Sequence, residues 1–389
     1  MKSSWLVFLF IGSITLTSAQ EKKTIFSTMD VNGYLKYMNT SMFTKIDSTW
    51  VVDNLVHNRL NYLWDIADNL TVKAGMRNRI IYGDMVRLNP DYAASLEADT
   101  GYFHFLTNNL SEGESYVINT TFDRAFLEYS YKNITISAGR QRINWGQSMV
   151  WNPNDIFNSY SFFDFDYEER PGSDAVRVQY YPDYTSVTEA VIKIDKDENI
   201  TMAGLYRFNK WGYDIQLIGG VIDTTDYVLG AGWSGNIKKM GFNGELTYFY
   251  PQEKTENTSA DVIASAGINY TFKNSVTVTA EGNYNSYFDK IGIEGIAGLY
   301  AVPLSVKTIT FSKFSWFGQV SYAINPLLSG SLACIYMPSL ENGYYITPSL
   351  QYSIKDNFEL SLLGQRFEMT LNHQKSESNL LFLRMRWSF

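Results

Sequence analysis

The last eleven residues, Asn379 to Phe389, constrain this chain more than any other stretch. Counted back from the terminus, Phe389, Trp387, Met385, Leu383 and Leu381 share one face of an extended strand, while Ser388, Arg386 and Arg384 share the other. Only Phe382 and Leu380 interrupt the polar side. An arginine face cannot sit in lipid, and a Leu/Met/Trp/Phe row gains nothing from water. The strand therefore reads as a wall between the two, the pattern of a transmembrane β-barrel strand. An amphipathic edge strand of a soluble sheet would alternate in the same way, so the remainder of the chain has to decide.

The same alternation recurs. From Arg59 to Ile66 the outward set is Leu60, Tyr62, Trp64 and Ile66; from Leu70 to Tyr82 it is Leu70, Val72, Ala74, Met76, Ile80 and Tyr82, with Asn78 an exception. Between Asn274 and Asn285, Val276, Val278 and Ala280 oppose Thr277, Thr279, Glu281 and Asn283. A soluble sandwich has no use for so many apolar faces, each closed by Tyr or Trp. Short polar turns fall near Asp68-Asn69, Lys132-Asn133, Pro182-Asp183, Asn209-Lys210, Lys238-Lys239, Lys273-Asn274, Asn325-Pro326 and Lys355-Asp356. Longer connections lie between them, including Gly83 to Thr121 and Asn144 to Ser173. Eight short turns with both termini on their side predict eighteen antiparallel strands, short periplasmic turns and long extracellular loops. The first strand, near Val31 to Asn39, and the region from Asp289 to Phe314 are the weakest assignments, and sixteen strands is the alternative. Part of the loop from Asn89 to Leu110 is expected to form a short helix outside the barrel.

Residues Met1 to Ala19 read as a secretory signal, with Lys2, an apolar run from Trp5 to Thr17, and Thr17-Ser18-Ala19 as the cleavage site. Residues 20–389 then form one domain. The apolar run is shorter than the roughly 20 residues a membrane-spanning helix needs. Cys334 is the only cysteine, which excludes a disulfide framework. Aromatics make up 16% of the chain, with 28 Tyr, 24 Phe and 9 Trp, beside a slightly negative mean hydropathy. Barrels facing lipid combine the two, because interfacial girdles need Tyr and Trp while alternate residues stay polar. The net charge of −8 opposes nucleic-acid binding.

Two stretches carry resemblances. The C-terminal strand, ending on Phe389 with apolar residues at every second position before it, resembles the closing strand of Gram-negative outer-membrane proteins. That implies outer-membrane lipid and the barrel-insertion machinery as partners. The segment Gly139 to Asp174 contains Gly139-Arg140-Gln141, Trp145-Gly146, Asn152-Pro153-x-Asp155 and Pro171-Gly172. Those elements resemble a porin-like group of uncharacterised outer-membrane proteins and, more distantly, the barrels that export alginate. The resemblance covers about 36 residues of 389. It implies a channel and says little about cargo.

Read physically, this connection is long and contains 8 aromatic residues, among them Trp145 and Trp151. Loops so rich in aromatics seldom stay in water, so it is expected either to fold against the inner wall and narrow the pore, or to cap the mouth. Folded inward, the loop, which includes Trp145, Trp151 and Asp155, would place the negative charge of Asp164, Asp166, Glu168 and Glu169 at the constriction, partly answered by Arg170. Calcium at Asp164, Asp166 and Glu168 would have oxygen ligands but no glycine turn. Parity puts Arg140 and Arg142 on the lipid side, at the headgroup rim unless a bulge turns them inward.

Inward residues sort by sign. A basic wall of Arg59, Lys73, Arg77, Arg79, Arg124, Arg177, Arg207, Arg384 and Arg386 faces an acidic wall of Asp214, Glu245, Glu281 and Glu359, with Asp65 and Glu128 among the basic set. Opposed walls would set up a transverse field that filters ions; the plainer account is that lumen residues are polar and neutralise their neighbours. Catalytic signals are weak: His57, His104 and His373 have no metal-ligand spacing, and no HExxH, GxSxG or phosphate-cradling loop occurs. These readings point to a passive outer-membrane channel for small polar or charged solutes that is not an enzyme and uses no cofactor or metal. A barrel hydrolase with His104 or His373 at its rim, and a closed barrel acting as adhesin or anchor, are the alternatives.

Overall fold

The computed structural model describes residues 28–97, 103, 106–158, 172–253, 258–291, 302, 305–371 and 374–389. Nineteen strands form one antiparallel sheet. In chain order they are β1 (Met29–Phe43), β2 (Val51–Ala67), β3 (Leu70–Gly83), β4 (Thr107–Gly113), β5 (Tyr116–Tyr131), β6 (Ile134–Gln141), β7 (Ser173–Asp183), β8 (Ser186–Ile194), β9 (Ile200–Lys210) and β10 (Tyr213–Ile222). There follow β11 (Asp226–Ile237), β12 (Met240–Pro251), β13 (Asp261–Thr271), β14 (Val276–Asn285), β15 (Phe314–Asn325), β16 (Leu328–Met337), β17 (Gly343–Lys355), β18 (Phe358–Leu371) and β19 (Gln374–Ser388). Two short helices, α1 (Asp84–Leu88) and α2 (Tyr92–Glu97), follow β3.

The wall itself is an 18-stranded closed barrel. β4 is the extra strand: β3 and β5 pair directly, and β4 lies along the upper edge of β5, above the point where the short β6 stops. Closure is between β1 and β19, where the backbones of Gly33 and Phe389 exchange two hydrogen bonds of 2.9 Å. All eight predicted turns are present. At the β9–β10 turn Trp211 and Gly212 both take positive φ, 56° and 77°, the pair of left-handed residues that a two-residue hairpin requires. No strand lies between Asp289 and Phe314 among the described residues, which agrees with eighteen rather than sixteen.

The alternation that suggested the barrel is visible in exposure. Along β19, Leu383, Met385 and Trp387 are 39–48% exposed on the outside, whereas Arg384 on the inside is 9%. The rule of wet residues inward does not hold throughout, however. Ala203, Leu205, Ile218, Val228, Phe249, Ile263, Phe317, Ile335, Met337 and Tyr345 all point inward and are buried in one cluster with Ile143, Trp145, Val150, Trp151, Ile156 and Phe157. The upper inside of β8–β17 is thus a packed core, closed by the segment that follows β6. Phe382 and Leu380, which broke the polar side of the last strand, pack with Met38, Leu363 and Leu55. The predicted helix corresponds to α2, which does not stand clear of the barrel: Tyr92, Ala93 and Leu96 pack over Leu55, Ile81 and Val117 of the inner wall.

Candidate functional site

Residues 142–158 lie against the inner wall, and every residue from Val150 to Asn158 is buried. The segment has no regular secondary structure, so its backbone N–H groups need acceptors from elsewhere. Two wall carboxylates supply them. Glu245 on β12 accepts from the N–H groups of Gln147, Ser148 (2.7 Å) and Asn154 (2.8 Å). Glu281 on β14 accepts from Met149 (2.9 Å), Val150 (3.1 Å) and Trp151 (2.8 Å). Further ties are the Trp145 indole to Glu189 (3.0 Å), Gln216 to the Trp145 carbonyl (2.7 Å), and Thr247 to Asn154 (2.7 Å).

The motif residues fold the segment onto itself. Asn152 accepts from Ser148 N–H, Asp155 from Trp145 N–H and Asn158 from Ile143 N–H. A Cβ on Gly146 would overlap the Asn152 amide, and Gly139 holds φ at 120°, with the Ala125 carbonyl where a Cβ would be. The track on the wall is cleared as well: on β11, a Cβ at Gly230 would stand 2.7 Å from Asn154, and one at Gly232 2.8 Å from Gln147.

Two members of the predicted acidic wall are therefore anchors beneath a loop. Glu245 and Glu281 are 0% and 3% exposed. The loop's own N–H donors take the carboxylates that parity had placed in the lumen. Glu359 is held by Arg384 at 3.1 Å, and Asp214, exposed, accepts from Asn209. Beneath the loop, a recess of about 480 Å³ is lined by Gln147, Ser148, Asp214, Asn243 and Asn269. Asp164, Asp166, Glu168, Glu169 and Arg170, with His104 and His373, lie outside the described residues.

The other wall carries its charge in register. Arg386 of β19, Lys36 of β1, His57 of β2 and Arg79 of β3 stand directly opposite one another, and Glu359 of β18 ends the row. One pair nearer the periplasm, Tyr34, Arg59, Arg77 and Thr121 form a second row. Arg59 grips Asp123 through two hydrogen bonds (2.6 and 3.1 Å), and Arg77 lies 3.7 Å from the same carboxylate. Arg79 donates to Asn119 (2.6 Å), and Arg386 lies over the Tyr34 ring at 4.4 Å. Both ring nitrogens of the buried His57 are without a hydrogen-bond partner among the described residues. Below these rows a recess of about 360 Å³ opens between Asp30, Asn32, Arg59, Asn61, Lys73 and Arg124.

The remaining basic residues are spread out. Lys73 pairs with Glu128 (2.8 Å), Arg177 with Glu189 (2.7 Å), and Arg207 donates to Gln216 (2.9 Å). Arg140 does not take its expected place at the rim. It is 1% exposed, forked onto Asp174 directly opposite on β7 at 2.8 and 3.0 Å, and bonded to the Phe122 carbonyl. Arg142 is half-buried in the segment after β6. Lys36, Asp123 and Glu189 escaped the sequence reading, which weighed His57 only as a metal ligand. Asp123 was hidden by a bulge, since β5 gains one residue against β3 between Gly75 and Met76 and so shows two successive residues inward.

Neither the family models nor the curated proteins match this chain. Among solved structures it is similar to Pseudomonas aeruginosa OccK11, with a TM-score of 0.60 at 8% identity over 93% of this chain and 97% of that one. Similarity to Acinetobacter baumannii OccAB3 has a TM-score of 0.58 at 11% identity, over 92% and 99%. For Pseudomonas aeruginosa OccK5 the TM-score is 0.57 at 8% identity, over 92% and 98%. At such identities the likeness is one of fold, and the fold is a large porin-like β-barrel.

Proposed function

We propose that the protein is a passive channel of the outer membrane, and that small polar solutes, anions in preference to cations, cross between the cationic wall and the loop of residues 142–158. One observation carries this reading: Arg386 and Arg79, both partly exposed, stand in one row with the buried Lys36 and His57 between them, above Arg59 and Arg77, which are buried on Asp123. Arg386 and Lys36 stand directly opposite on adjacent strands, and like charges so placed destabilise a sheet, so this pair works against the fold. A passing anion offsets that repulsion, and the surrounding low-dielectric wall strengthens its attraction. The loop limits the cross-section, so size exclusion and charge act at one level. Transport needs no energy source beyond the solute's gradient.

Proteoliposome swelling tests the proposal with solutes of equal size and different charge. A small monocarboxylate is expected to enter faster than a neutral sugar acid amide, and that faster than a monoamine. Equal rates for all three would remove the charge preference, and no swelling at all would favour the structural or adhesive barrel.

A further inference from the structure

The outer wall contains a polar track where lipid should lie. On β2 the outward row reads Val56, Asn58, Leu60, Tyr62, Trp64; on β3 it reads Met76, Asn78, Ile80; on β5 it reads Ile118, Thr120, Phe122. Asn58, Asn78 and Thr120 are direct neighbours in register. Asn78 donates to Asn58 Oδ1 (3.2 Å) and accepts from the Thr120 hydroxyl (2.8 Å), and Asn58 donates to the Tyr34 carbonyl (3.3 Å). Each amide keeps a second N–H with no partner among the described residues. Next to them, also outward, Asn54 accepts from the Tyr37 hydroxyl (2.7 Å) and from Asn39 (3.1 Å). From β10 to β17 the outward rows contain no amide and no charge.

The track is not at a water interface. Asn58 stands six residues from Trp64 of the periplasmic girdle, about 20 Å along a strand and about 15 Å in height at a tilt near 40°, within an apolar band of about 25 Å. Exposed apolar side chains continue above it, Ile80 at 42% and Tyr82 at 40%. Lipid tails accept no hydrogen bond, so spare amide N–H groups at this depth call for a protein acceptor.

We infer that the outer face of β1, β2, β3 and β5 is an interface with a second copy of this chain. An amide track offers donors and acceptors together, so it complements itself across a two-fold axis. The area suffices: four adjacent strands about 4.8 Å apart, tilted near 40° across an apolar band of about 25 Å, present roughly 600 Å² per copy, which for two copies is above the roughly 1,000 Å² in total that a specific interface needs. The inference rests on the reading that this outer wall faces lipid.

The test starts from Cys334→Ser protein, with Val56→Cys, Ile80→Cys or Thr120→Cys added singly, oxidised in intact outer membranes. Ile268→Cys, on β13 across the barrel, is the control. Covalent dimer is expected from at least one of the first three and not from the control. Dimer from none of them, or equal dimer from the control, overturns the inference. In the natural chain, Asn58→Leu with Asn78→Leu should lower the dimer fraction in mild detergent at least tenfold, while the barrel remains heat-modifiable in gels. A dimer fraction unchanged in that variant overturns the role of the amides. A folded, conducting monomer would sink the interface and leave the channel reading standing; a silent dimer would do the reverse.

Discussion

The two halves of the inner wall began as equivalent parity patterns and ended in different states. On β19, β1, β2 and β3, inward residues meet one another across strands and form rows of cations. On β8 to β17, inward residues meet a loop, and the same parity yields an apolar core pinned by two buried carboxylates. The difference lies in what faces each wall. Alternation states which side chains leave the lipid, and whether they then meet water, a charge of the same sign or another part of the chain depends on contacts remote in sequence. Glu245 meets its N–H donors some ninety residues away, and Glu281 about one hundred and thirty.

The contrast can be broken first on the loop side. Replacing both Glu245 and Glu281 by Ala leaves five N–H groups without acceptors and Ser148 with Asn152 alone, at about 1–3 kcal/mol for each lost partner if they stay buried, so the loop is expected to leave the wall. Unit conductance in a planar bilayer should then rise roughly twofold or more, with a lower thermal midpoint. Gln at both positions keeps acceptors and should give a smaller rise. Conductance unaltered in the Ala variant would show that the loop does not set the cross-section.

On the cationic side, Asp123→Ala leaves Arg59 and Arg77 facing each other in a buried site, and breaking such a pair costs about 3–5 kcal/mol. The melting midpoint in detergent should fall accordingly; a value near that of the natural chain would mean water already screens this cluster. Gly232→Leu is a milder probe of the loop track. Its side chain enters space held by Gln147 and Asn154, so access of a thiol reagent to a cysteine at Ser148 should increase, and unaltered labelling would contradict the packing described. Lys73→Gln is expected to have the smallest effect, below about 1 kcal/mol, because Lys73 and Glu128 are 34% and 28% exposed and well screened.

Much of this was legible in advance, for a physical reason. Strand parity and turn residues are local, so the barrel and its eight turns could be read without coordinates. Trp145, Asn152 and Asp155 were also legible, because they organise their own segment over ten residues or fewer. Asp123 was not, since one inserted residue in β5 changes the face without any signal in composition. Arg140 was misplaced because its partner, Asp174, adjoins it only after β6 and β7 pair. The fates of Glu245 and Glu281 were hidden for the same reason, as no pattern in β12 or β14 reveals that a loop from β6 needs their oxygens.

The cationic wall, through its partly exposed Arg79 and Arg386, and not the buried Glu245 and Glu281, faces the conducting path. The most direct measurement is the zero-current potential of the natural chain in a planar bilayer across a potassium chloride gradient. A potential on the chloride side of zero is expected, moving toward zero in Arg386→Gln with Arg79→Gln. A potential on the potassium side, or one that the double variant leaves in place, would contradict it.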